Sequence, residues 1–330
     1  MYKIPLLFIF ILQIMISFSQ NETSVLFIGN SFTFMNNMPF MFKEIAESKG
    51  KKMIVDTVVE GGKDFNFHSS QAETYQKIKS RKWDYIVIQG HSNELAQPES
   101  KIDRVTLPYA KKIVDSIRAN SSCTQIVLYM TWGYKNGNSK WTPISSYDSM
   151  QYRIKMQYLR FADLLDARVC PVGEVWKAIR TNYSGINLYD ADNQHPSLFG
   201  SYLSACTFFT SIFGESPIKN TCTALIDEPT RQIIEMNASQ VVLNNLNQWR
   251  FIPKKDQLEC GFDLILENDT VNLFNRSKNA TWLEWDFGDG SISVDENPTH
   301  CYKIKGKYVV TQKISNSCRT DILSREIEVK

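Results

Sequence analysis

Between residues 24 and 213, short apolar runs alternate with stretches of helical spacing. The runs are Ser24–Gly29 (SVLFIG), Met53–Val59, Asp84–Gln89 (DYIVIQ), Gln125–Thr131 (QIVLYMT) and a weaker Arg168–Val172. Apolar residues at helical spacing fall within Pro39–Ser48, Gln71–Arg81, Arg104–Arg118, Ser149–Leu165 and Ser197–Phe213. Strands that read as continuous apolar runs, rather than as alternations, are buried on both faces. With helices between them they predict a parallel sheet covered on each side. In such a sheet, ligands and catalytic groups gather at the C-terminal ends of the strands.

After about residue 250 the pattern changes. Helical spacing stops, and β-rich runs follow at Phe262–Leu266, Thr270–Phe274, Trp282–Asp286, Lys307–Ile314 and Ile322–Val329, with turn residues between them. This spacing predicts a small sandwich. The reading is therefore a leader over 1–20, an α/β domain over 21–250 and an all-β domain over 257–330, joined through Arg250–Asp256. The sequence leaves open whether 216–250 completes the α/β domain or connects it to the next. With 330 residues, 43% of them hydrophobic, both cores are affordable.

Residues 1–20 contain one charge, Lys3, then an almost wholly apolar run from Ile4 to Phe18 and a polar end. That is the form of a secretory signal peptide, shorter than the ~20 residues a membrane span requires. Export to the cell surface, periplasm or medium is expected, with no transmembrane segment after cleavage. The seven cysteines suit an oxidising setting and none are spaced C-x-x-C, so no zinc or thioredoxin-type site is expected. Cys260 and Cys318, both in the C-terminal domain, form the expected pair. A balance of 37 basic and 35 acidic residues gives no indication of a nucleic-acid partner.

Two segments carry chemistry. Gly29-Asn30-Ser31-Phe32-Thr33 directly follows the first strand and places a serine at the open end of the sheet. Taken alone, it fits a nucleophile, a plain turn or a helix cap. Asp192-Asn193-Gln194-His195-Pro196-Ser197 precedes the last helix of the domain. An Asp three residues before a His can fix the imidazole tautomer and leave the other ring nitrogen free to accept a serine proton. Alone, this segment also fits a polar capping loop.

In this order, the two segments resemble the first and last blocks of the SGNH (GDSL-like) hydrolases. The first block here has Asn30 where Asp is frequent. The resemblance covers about residues 24–215. It implies a three-layer, flavodoxin-like α/β fold with a central parallel sheet, and a serine esterase with Ser31 as nucleophile, His195 as base and Asp192 as its orienting partner. It further implies an oxyanion hole built from the backbone N–H of Ser31, that of Gly62 (Gly61 being the neighbouring candidate) and an amide side chain. A single such donor is typically worth about 3 kcal/mol. The third block, Gln89-Gly90-His91-Ser92-Asn93-Glu94, departs from the usual Gly-x-Asn-Asp and is closer to the sialate and xylan O-acetylesterase branches. The amide is then Asn93, with Gln89 as the alternative. No cofactor or metal is implied.

Of the other histidines, His91 is expected as a pocket wall and His68 as an ordinary surface residue. Trp132, Tyr134, Trp141 and Tyr147 follow the fourth strand. They read either as packing or as a platform for sugar rings. In the C-terminal domain, Trp285-Asp286-Phe287-Gly288-Asp289-Gly290, Asn297-Pro298-x-His300-x-Tyr302 and Gly306-x-Tyr308-x-Val310 resemble a PKD domain. That resemblance places Trp285 in a core, removes His300 from catalysis, and implies a spacer or a contact with polysaccharide or cell surface. Short-acyl esters on carbohydrate, O-acetyl above all, are the expected substrates. A noncatalytic glycan-binding protein on the same scaffold is the alternative, and a purely structural surface protein a more distant one.

Overall fold

The computed structural model describes residues 17–18, 22–251, 258–318 and 320–330. These fall into two compact units. One lies within Glu22–Pro253, and the other comprises Ser17–Phe18 and the residues from Leu258 onward. Apart from Ser17–Phe18, which pair with the last strand of the chain, the expected leader lies outside the described residues.

The first unit is built on five parallel strands: β1 (Thr23–Gly29), β2 (Met53–Val59), β3 (Tyr85–Ile88), β4 (Gln125–Tyr129) and β5 (Arg168–Cys170). Their order is β2-β1-β3-β4-β5, the flavodoxin-like arrangement, with β1 inside the sheet. Val25, Leu26, Phe27 and Ile28 of β1 are at most 1% exposed, because helices cover both faces. Helix α2 (Met38–Ser48) packs on α10 (Leu198–Phe213), and α10 on α11 (Glu228–Leu243). Helix α11 lies in this unit, which answers what 216–250 does. Tyr202 on α10 donates to Glu235 on α11 at 2.6 Å, and Asn220 donates to both.

The helix expected over Arg104–Arg118 is two helices, α6 (Glu99–Val105) and α7 (Leu107–Asn120), parted at Thr106. Pro108 lacks the N–H an interior residue would donate, but fits the first turn of a new helix.

The second unit has two antiparallel sheets. β6 (Phe262–Glu267), β7 (Thr270–Asn275) and β10 (Thr299–Cys301) form one. The other contains β8 (Trp282–Asp286), β9 (Ile292–Ser293), β11 (Gly306–Ser315) and β12 (Thr320–Val329). Their facing side chains, with Trp285 fully buried among Phe262, Phe287, Tyr302 and Val310, form a separate core. His300 belongs here, bonded to Asp289 at 2.8 Å and stacked on Phe287. Cys260 is a free thiol, pushed up to about 12 by burial, so the expected Cys260–Cys318 pair does not form.

Candidate active site

Strand β1 ends at Gly29, and Ser31 opens the short helix α1 (Ser31–Phe34). A side chain at Gly29 would place its Cβ 2.5 Å from Thr33 Oγ1 and 2.6 Å from Gln89 Oε1, so the turn admits only glycine. Asn30 caps the helix: its Oδ1 accepts from Phe32 N–H at 3.1 Å, and its Nδ2 donates to Lys63 O at 2.8 Å. Thr33 and Phe34 N–H groups bond back to Asn30 O. The N–H of Ser31 belongs to the first turn, where helix geometry offers it no internal partner.

Gln89 fixes this turn from below. Its Oε1 accepts from Asn30 N–H at 2.8 Å and Thr33 Oγ1–H at 2.9 Å, while its Nε2 donates to Gly90 O at 2.7 Å. His68 is a second brace rather than the surface residue expected. It is 1% exposed at the end of α3 (Phe65–His68), and its Nε2 donates to Gly29 O at 2.9 Å. Burial holds its pKa below the usual histidine range.

The Asp192–His195 loop reaches the same place from the other end of the domain. Ser31 Oγ lies 2.8 Å from His195 Nε2, and His195 Nδ1 is hydrogen-bonded to Asp192 Oδ2. The other Asp192 oxygen accepts the backbone N–H groups of Gln194 and His195, each at 2.9 Å. Partial burial works to raise the Asp192 pKa, but these hydrogen bonds outweigh it and hold the carboxyl below its usual range.

The loop is tied on several sides. Trp132 Nε1 donates to Gln194 O at 3.0 Å, Lys135 N–H donates to Asn193 O at 2.9 Å, and Asn36 Nδ2 donates to Pro196 O at 3.2 Å. Trp132 also stacks on Trp176 at 3.8 Å, nearly parallel. Trp132, Tyr134 and Tyr147 are buried and serve as packing, not as a sugar platform; of the four, only Trp141 is partly exposed.

Gly62 and Asn93 line one cavity of about 270 Å³, together with Asp64, His91, Glu94 and Lys101. Gly62 has φ +68°, a conformation that favours glycine, and faces open space. Asn93 Oδ1 accepts from Asn138 Nδ2 at 3.0 Å, which leaves its amide nitrogen as a donor available to a ligand. Gln89, by contrast, is buried and committed to the turn.

His91 packs its ring 5.7 Å from Phe32, whose ring is 5.2 Å from that of His195. Burial first, and then the neighbouring His195, lower the His91 pKa and keep it neutral. Its Nδ1 accepts the Asn93 N–H at 3.2 Å, so the ring proton sits on Nε2. Glu94 also belongs to this wall. Burial pushes its carboxyl up to about 7, with the nearby Asp64 adding to the effect.

Comparison with known proteins agrees with this architecture. Residues 71–231 match the model of DUF4886, a domain of unknown function, and residues 264–330 match the model of the PKD domain. A crystal structure of a DUF4886 family protein from Bacteroides uniformis is similar over 68% of this chain and 95% of that one, at 23% identity and TM-score 0.60. It shows the same fold. A candidate SGNH hydrolase from Slackia heliotrinireducens is similar over 58% of this chain and all of that one, at 27% identity and TM-score 0.48. The PKD1 domain of a Vibrio cholerae metalloprotease is similar over 22% of this chain and 96% of that one, at 29% identity and TM-score 0.22. No curated protein matches the chain.

Proposed function

We propose that the α/β domain is a serine hydrolase of carboxylic esters. The observation that carries this reading is the continuous relay from Ser31 Oγ through His195 to Asp192. With Nδ1–H given to Asp192, His195 Nε2 holds the lone pair that accepts the serine proton. Ser31 Oγ then attacks the ester carbonyl, and the tetrahedral oxyanion is held by the N–H groups of Ser31 and Gly62 and the Asn93 amide. The proton on His195 passes to the departing alcohol as the C–O bond breaks, leaving an acyl-serine. A water, deprotonated by His195, releases the carboxylic acid and restores Ser31.

The substrate reading is a short acyl group, acetyl above all, on a carbohydrate. In its support, the cavity beside the site is small and carries the side chains of Asp64, Asn93, Gln97 and Lys101, groups suited to sugar hydroxyls. The apolar leader and the PKD domain support a place outside the cytoplasm; no described helix is long and apolar enough to cross a membrane.

The test is hydrolysis of p-nitrophenyl acetate by the chain from residue 21 onward, beside Ser31→Ala. Turnover by the parent, reduced at least about a thousandfold in Ser31→Ala, is the expected result. Equal turnover by the two proteins would overturn the assignment.

A further inference from the structure

A second cavity, of about 340 Å³, opens beside the His195 loop, and among its lining residues the only charged ones are Lys135 and Arg180. Neither makes an ion pair with a carboxylate among the described residues. Arg180 is nonetheless held in place. Its Nη2 donates to Lys135 O at 2.8 Å, and its guanidinium lies over the Tyr147 ring at 4.4 Å and the Tyr189 ring at 5.8 Å. An arginine has five N–H donors and remains charged throughout the physiological range; with Lys135 O and the Tyr189 hydroxyl as its partners, part of that fork is still unspent. Ser184 and Asn187 add neutral polar groups to the same wall. The volume is within the roughly 300–1,000 Å³ of small-molecule sites.

This cavity adjoins the chemistry through the backbone. Lys135 N–H holds Asn193 O of the triad loop, and Tyr189, another lining residue, bridges to Pro196. We propose that the cavity is an anion subsite that receives a carboxylate on the substrate, as a uronic acid unit would supply. The Arg180 fork would pair with the two carboxylate oxygens and Lys135 would add a point charge. A phosphate or sulfate shares the charge, and the titration below separates those anions from a carboxylate. The proposal rests on the ester-hydrolase reading for its meaning, though not for its test.

The test is calorimetric titration of the full chain carrying Ser31→Ala, which removes turnover. The probes are digalacturonate, the neutral disaccharide galactobiose, inorganic phosphate and inorganic sulfate. Digalacturonate should bind more tightly than galactobiose and should weaken as salt is raised. Lys135→Gln, which keeps the backbone bond to Asn193, should weaken digalacturonate about tenfold and leave galactobiose unchanged. Arg180→Lys keeps charge but not the fork and should weaken it less than Arg180→Gln does, with melting curves checking that each variant folds. Equal binding of the two disaccharides, no binding of digalacturonate, an unchanged affinity in Lys135→Gln, or binding of phosphate or sulfate alone would each overturn the proposal. Since binding is read without catalysis, none of these outcomes bears on the role of Ser31.

Discussion

Gln89 and Asn93 are amides four residues apart, and their surroundings give them different work. Gln89 is buried, with its oxygen shared between Asn30 N–H and Thr33 and its nitrogen on Gly90 O. Asn93 spends its oxygen on Asn138 and faces the cavity. Asn93→Ala should therefore lower kcat for p-nitrophenyl acetate by about 10²–10³ while the melting temperature changes little. Gln89→Leu should act on the fold instead. It leaves Asn30 N–H buried without its acceptor, at a cost of about 1–3 kcal/mol, and a lowered melting temperature is the measure. That Ser31, Asp192 and His195 come together was legible because they sit in short motifs at strand and helix ends. The bracing roles of Gln89 and His68 were not, because no spacing reveals that Asn30 N–H, the Thr33 hydroxyl and Gly29 O converge on them.

Short elements at the strand ends set the cavity, and α5 (Ser92–Leu95) is the most constrained. His91 and Glu94 close it as a capping box, Nδ1 of the one accepting a helix N–H and the carboxyl of the other accepting His91 N–H at 3.3 Å. The Glu94 carboxyl, raised from 4.5 to about 7, holds its proton more tightly folded than unfolded. Between those values the folded state binds more protons, so this group's contribution to stability falls as pH rises from about 4.5 through 7. The full effect is on the order of 3 kcal/mol. Glu94→Gln should remove it, so the variant's melting temperature should gain on the parent's more at pH 8 than at pH 5. The five parallel strands could be read from their apolar runs. The break at Thr106 was hidden because apolar spacing continues across it, and α11 gave no clear signal because its buried face mixes Glu235, Asn237 and Ser239 with Ile234, Ala238 and Val242.

At the scale of the molecule, each unit has its own hydrophobic core. The change from helical to alternating patterning near residue 250 announced the second one, and the Trp285 motif showed where its centre lies. All the proposed catalytic groups belong to the first. Trp285→Ala should destabilise the second unit by about 3–5 kcal/mol. Scanning calorimetry should show its transition at lower temperature, while p-nitrophenyl acetate turnover at 25 °C is retained.

The serine strand lies inside the sheet between β2 and β3, and its histidine lies 164 positions further along the chain. At the usual 5–20 residues per second of synthesis, the proposed nucleophile leaves the ribosome on the order of 10 to 30 s before its proposed base exists. Until then Ser31 is an ordinary hydroxyl. On the proposed reading, a nascent or prematurely ended chain is silent, and turnover can begin only when nearly the whole α/β domain has been made.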